Sequence, residues 1–401
     1  MRPSGAVSGG SDGSGGRNGG ARLHVLVCTI VHHPEDARIL HRQIRTLLDA
    51  GHRVTYAAPF SAYGTEPWPQ LEAIDVPRAM GRSRSEALRA ARRVLRTYGP
   101  PADVVLLHDP ELLLVLPGLR LRNTVVWDVH EDTGAALIAK RWLPSLLRPL
   151  ARVGVRIVED RAERTLRLIL AEEGYRSRFR RSHPVVPNTT YVPDAVKPVG
   201  AERVVYVGHL AAARGVDTMV EMARLLDGKG LHVEVVGHGD SYARRVLRAA
   251  ENAGLLRWHG FMPNDRAMSF LDGAMCGLSL LRDLPNYRHS TPTKVLEYMA
   301  HGLPVITTPL PSAVSLVKAH RCGIVVPFDD PEAAAEAVLT LQRDPKLRND
   351  MGANGHAAAR RGYHWPDSAR EFLDRIESWA TPKEVTTRRG FPVAERGMQG
   401  S

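Results

Sequence analysis

Three cysteines in 401 residues, Cys28, Cys276 and Cys322, are too few and too far apart for a disulfide framework. Each sits in an apolar stretch, so they predict buried thiols in a reducing compartment. No apolar run approaches the roughly 18 residues of a spanning helix, which excludes a helical membrane segment. Cys/His zinc spacing, an aromatic RNA-binding motif and a basic helix with heptads are all missing. The excess of 54 Lys+Arg over 43 Asp+Glu, net +11, therefore does not point to nucleic acid. It suits nucleotides, phospholipid headgroups or an acidic acceptor. Residues 1–20, dominated by Gly and Ser, have no apolar signal-peptide core. They read as a disordered leader or a mis-assigned start, and 381–401 as a disordered tail. These absences point to the cytoplasm.

What is present is ordinary globular composition, 43% hydrophobic and 24% charged, over a length that suits two or three domains. From residue 22 strands and helices alternate. Continuous apolar runs, as in Leu23–Ile30, are expected for strands buried on both faces of a parallel sheet. Val54–Ala58, Asp103–Leu107, Thr124–Asp128 and Leu166–Ala171 follow, with helices over 37–50 and 136–166. Pro184, Pro187, Pro193 and Pro198 mark a linker around 184–200. The rhythm restarts at Arg203–Val207 and runs through Val233–Val236, Gly277–Leu281, Val305–Thr307 and Ile324–Val326. The expected fold class is α/β, with two doubly wound Rossmann-like domains over 21–190 and 191–366 and a final helix, 367–380. Two such sheets leave a cleft between their carboxyl ends, where ligands of open α/β sheets bind. Several enzyme classes share that plan, so function must come from the sites.

The most informative segment is Ser290–Ile306, STPTKVLEYMAHGLPVI. Thr291 reads as a helix N-cap and Pro292 as the first helical position. Val295, Leu296, Met299 and Ala300 form an apolar face, and Gly302 ends the helix. Free N–H groups at such a helix start can hold a diphosphate. Glu297, about one and a half turns in, can reach a ribose diol. An ordinary surface glutamate is the plain alternative.

This segment resembles the donor-nucleotide motif of retaining GT-B glycosyltransferases of family 4, the glycosyl transferases group 1. Pro292, Lys294, Glu297, Tyr298, Met299, Ala300, Gly302, Pro304 and Val305 carry the resemblance. It implies a GT-B fold whose two domains face each other across a cleft. It also implies ribose binding by Glu297, and donor contacts from Lys294 and the amides near Thr291–Thr293. His289 stands where the family often has an acidic residue, and Ser290–Thr291–Pro292 is similar to subgroups that build surface polysaccharides. In Tyr206–Asp217, YVGHLAAARGVD, the residues Gly208, Leu210 and Gly215 match the family's phosphate loop. His209 takes its Arg position and Arg214 its Lys position, so Arg214 implies a diphosphate contact. A solvated loop arginine is the alternative. Gly237 and Gly239 match the family's V-G-x-G turn, and Trp258–Pro263 its base-side loop, though either is also a simple strand end.

In the amino-terminal domain, His108 and His130 each follow an apolar strand. The resemblance places His130 near the donor sugar and acceptor hydroxyl. Helix capping or a buried hydrogen bond is the plain alternative, evenly matched for His108 and the weaker reading for His130. Glu131 and Asp132 are acid/base or capping candidates. Thr29–Arg38 is similar to an H-P-x-D-x-R subgroup, which puts His33, Asp36 and Arg38, with His108 and Glu131, on the acceptor side. The arginine-rich stretch 136–167 suits either a solvated helix face or a helix lying on an anionic membrane. The resemblance implies retaining, metal-independent transfer with His130, Arg214 and Lys294 as the catalytic set. No cofactor is needed beyond the nucleotide diphosphate sugar. Asp-x-Asp strings are absent from strand ends. The acceptor is open between lipid-linked, saccharide and small molecules, and the site between the cytoplasm and the inner face of the membrane. A nucleotide-sugar epimerase and a binding protein that has lost catalysis are the rival readings.

Overall fold

The computed structural model describes residues 21–130, 148–288 and 291–380. Two six-stranded sheets, all parallel, account for its twelve strands. The first comprises β1 (His24–Cys28), β2 (Arg53–Ala58), β3 (Glu72–Asp75), β4 (Val104–Leu107), β5 (Thr124–Val129) and β6 (Arg167–Leu170), in the order β3-β2-β1-β4-β5-β6. The second comprises β7 (Arg203–Val207), β8 (His232–Val236), β9 (Arg257–Trp258), β10 (Cys276–Ser279), β11 (Val305–Thr307) and β12 (Gly323–Val325), in the order β12-β11-β10-β7-β8-β9. Renumbered from its own first strand, the second sheet has the same doubly wound order as the first. Each therefore has one switch point, between β1 and β4 and between β7 and β10, where flanking connections diverge and leave a crevice.

The apolar runs form central strands because both faces are covered. Every residue of β1, β4 and β10 is buried. Both faces of each sheet are packed, and a further cluster on β5 and β6 includes Trp127, Val129, Leu168 and Leu170. Helix Trp365–Trp379 belongs to the first sheet's core although it follows the second sheet in the chain. Its Trp365, Phe372 and Ile376 pack with Val25, Val27, Tyr56 and Val104, and Trp365 Nε1 donates to Thr46 Oγ1 at 3.0 Å. All three cysteines are buried free thiols. No described helix is long and apolar enough to cross a membrane.

Candidate active site

The backbone is tightly packed at the carboxyl end of β7. Gly208 follows it at φ 139°, and a side chain there would overlap the Lys294 ammonium. Gly237, after β8, is at φ 137°, and a Cβ on it would strike the Gly208 carbonyl. The two glycines let two strand ends and a lysine converge. The next residues reinforce this, since Leu210 bridges to Gly239. Arg214 ends the short turn Ala212–Arg214 and is close enough to both Tyr206 and Lys294 to influence their ionisation.

Helix Thr293–Ala300 points its amino end into this corner. Tyr298 pins it to the sheet, donating to Leu278 O at 3.0 Å and accepting from Val207 N at 3.2 Å. Pro292 holds the cap position and no side chain caps the helix. The Thr291 hydroxyl, expected as the cap, donates to Glu172 instead. Burial, with Arg214 nearby, lowers the Lys294 ammonium to about 8. Burial raises the Glu297 carboxyl, against the pull of Lys294 and Arg42. His209 stands in the family's Arg position without a fixed charge. Burial and Arg214 depress its imidazole.

Across the cleft, the first sheet presents a chain of imidazoles and carboxylates. Arg38 donates to both Asp128 oxygens at 2.7 Å and to Val186 O at 3.0 Å. Burial opposes the charge on Asp128, yet Arg38 holds its carboxyl well below the usual range. His130 closes β5, with Nδ1 3.1 Å from the Asp128 carbonyl and Nε2 3.0 Å from His32 Nε2. His32 Nε2 is in turn 3.3 Å from Asp109 Oδ1. Asp109 is buried and accepts from the Thr29 hydroxyl and from the amides of Ile30 and Val31. A tautomer of His130 that donates through Nδ1 to the Asp128 carbonyl leaves Nε2 to accept from His32 Nε2.

Three acceptor-side candidates are engaged within the first domain. His108 is 1% exposed and lies behind Asp128. Its Nδ1 is 3.3 Å from Asp128 Oδ2 without hydrogen-bond alignment, and burial lowers it to about 4. Arg38 is 2% exposed and committed to Asp128. Asp36 caps its own helix, accepting from Arg38 N and Ile39 N. His108 and Arg38 are buried against Asp128, and Asp36 is spent on its own helix start. His33 does lie at the cleft, between Tyr63 and Phe261 of the other domain with ring centroids 4.4 and 5.1 Å away. Burial lowers its imidazole to about 4. Glu131, His289 and Ser290 lie outside the described residues.

Two residues of the first domain reach this corner of the second sheet and were not singled out in the sequence. Glu172, just after β6, accepts from Thr291 N at 3.1 Å and Thr291 Oγ1 at 2.9 Å. Arg42 Nη2 lies 3.7 Å from Glu297 Oε1. Nor were His32, Asp109 and Asp128, whose only signal is a polar residue placed where an apolar strand ends. His108, Asp128 and His130 also form the one described group with metal-ligand spacing. Asp128 spends both oxygens on Arg38, so a cation there would face a fixed guanidinium.

Residues 188–358 match the family model described as glycosyl transferases group 1. Alpha-D-kanosaminyltransferase of Streptomyces kanamyceticus is 34% identical over 156 residues, which cover 38% of this chain and 39% of that protein, well under half of its length. D-rhamnosyltransferase WbpZ of Pseudomonas aeruginosa is 25% identical over 291 residues, 66% of this chain and 71% of that one. The crystal structure of Anabaena HepE with UDP-glucose superimposes with a TM-score of 0.66 at 13% identity, over 89% of this chain and 100% of HepE. The paired doubly wound sheets are the GT-B architecture.

Proposed function

We propose that this chain is a GT-B glycosyltransferase that takes a nucleoside diphosphate sugar and transfers the sugar, with retention and without a divalent metal, to an acceptor hydroxyl. One observation carries the reading. Gly208, Arg214, Lys294 and Glu297 come together at the uncapped amino end of helix Thr293–Ala300. That corner offers free amides and two cations to a diphosphate, and a carboxylate deeper in for a ribose diol. The UDP-glucose bound by HepE, the sugar transfer in the two relatives' names and the group 1 match add support.

As the glycosidic bond breaks, negative charge builds on the departing diphosphate. Arg214, Lys294 and the helix amides stabilise it there, the role a metal has in other transferases. His130, held by the Asp128 carbonyl and by His32, lines the side of the cleft where the sugar and the acceptor hydroxyl meet. His33 and the neighbouring aromatic pair form the acceptor wall. The test titrates UDP, GDP and dTDP into the wild type and Glu297→Ala. We expect the variant to lose on the order of tenfold or more in affinity, as for a lost hydrogen bond to a charged group. Unchanged affinity overturns the assignment.

We further propose contact with an anionic membrane through helix Arg148–Thr165. Leu150, Val153 and Ile157 are 68%, 56% and 63% exposed. Helical spacing puts Arg161 and Arg164 on the same face. Beside them a groove of about 690 Å³ is lined by leucines, including Leu113, Leu116 and Leu119, with Arg122, Arg161 and Arg164 and no acidic residue. Apolar side chains flanked by cations suit a surface of acyl chains and phosphate headgroups.

A further inference from the structure

The first domain places its own charges on the two groups that the proposed donor needs. The Glu172 carboxylate takes hydrogen bonds from both the amide and the hydroxyl of Thr291, immediately ahead of helix Thr293–Ala300. Arg42, from the helix after β1, lies against Glu297, with side chains 5% and 12% exposed. Arg42 is also held from its own side, donating to Asn188 Oδ1. A carboxylate at an open helix start has the charge and acceptor geometry of a phosphate. A guanidinium on Glu297 presents N–H donors where a ribose diol would present O–H donors.

Resting on the donor-site reading above, we propose that Glu172 and Arg42 act as an internal stand-in for the donor, so that the nucleotide sugar binds by exchange. The diphosphate takes Thr291 from Glu172, and the ribose takes Glu297 from Arg42. Glu172 and a phosphate cannot share Thr291, because two anions at one N–H repel each other in a partly buried cleft. The bridge between the domains and the bound donor are therefore alternatives, and each weakens the other by the same factor. Donor affinity is set partly by how firmly the first domain holds its own contacts. Glu172 is then a positioning residue of the donor-free protein and a competitor of the donor, outside the groups that touch the reacting atoms.

The full chain separates this from a propping role. Wild type, Glu172→Gln and Glu172→Asp are titrated calorimetrically with UDP, GDP, dTDP and inorganic pyrophosphate. Glutamine removes the competing charge and aspartate withdraws it by one methylene, so either variant suffices if the other fails to fold. Both are expected to bind the nucleotide that wild type binds more tightly, on the order of tenfold, the worth of a hydrogen bond to a charged group. Pyrophosphate, which has no ribose, is expected to gain by a similar factor. Affinity unchanged within about twofold, or weakened as loss of a structural prop would make it, overturns the exchange and leaves the donor site standing. If neither wild type nor variant binds any of the four probes, the donor-site reading fails and the exchange with it.

Discussion

The contact between Gly208 and Lys294 gives the sharpest test of the phosphate corner, because a neighbouring glycine supplies the control. Gly208→Ala places a methyl against the Lys294 ammonium, the mobile end of a flexible side chain. The lysine can swing away, so the fold loses mainly the strain of a non-glycine residue at φ 139°, about 1–3 kcal/mol. That lowers Tm by roughly 2–10 °C for a domain of this size. Binding loses more than stability does. A displaced Lys294 forfeits a charge-assisted contact of about 1.5–3 kcal/mol, or roughly ten- to a hundredfold in Kd for the nucleoside diphosphate. Gly237→Ala differs in kind, since its methyl strikes the Gly208 carbonyl, which is backbone and cannot swing aside. It is expected to show first as a large loss of Tm. Differential scanning fluorimetry and calorimetric titration read both quantities. Adding Gly208→Ala to Lys294→Ala should change Kd no further, because the interaction is already gone. A Gly208→Ala protein with lowered Tm and unaltered diphosphate affinity would refute the assignment of Lys294 to the phosphates.

Lys294 also sets a pH dependence. Burial brings it to about 8, and a bound diphosphate favours the charged form, so binding takes up a proton as pH rises through that value. Affinity is expected to be near its maximum at pH 7 and to fall by about tenfold near pH 9. Lys294→Arg should flatten the curve, and a flat wild-type curve between these limits would remove Lys294 from the site. For the membrane face, the protein is expected to sediment with phosphatidylglycerol vesicles and not with phosphatidylcholine. Leu150→Asp combined with Arg161→Glu should abolish sedimentation, and undiminished binding of that variant would exclude helix Arg148–Thr165 as the contact.

Most of the parallel sheets can be read directly from the sequence because burial on both faces demands unbroken apolar runs. Arg203–Val207 and Val305–Thr307 coincide with β7 and β11 residue for residue. The strands that escape such reading lie at sheet edges. β3 is four residues, EAID, with two glutamate- and aspartate-bearing ends exposed, and β9 is only two. Their pairing comes from the neighbouring strand and not from their own composition. Helix Ala37–Ile44 is wound as a π-helix before it continues through Arg45–Asp49, a departure from helical period that side-chain spacing does not encode.

The site divides along the same line. The depth of Glu297 follows from helix pitch, whereas Lys294 and Arg214 are legible through the resemblance of their motifs to the group 1 family. His108 and Arg38 sit in equally suggestive patterns, but their direction depends on Asp128, ninety residues from Arg38, which draws Arg38 inward as a buried ion pair. A charged residue beside a strand end is ambiguous until its counter-charge is located. Removing either partner of such a pair costs about 3–5 kcal/mol, which is reason enough to keep it without any contact to a substrate. Glu172 and Arg42 are the opposite case, because nothing local distinguishes them from the many other acidic and basic residues around them. Their placement shows only when folding brings one domain's charges onto Thr291 and Glu297 of the other. It follows that motif reading favours residues that bind through backbone geometry within one domain. Residues that control access from the facing domain must be sought in the assembled cleft.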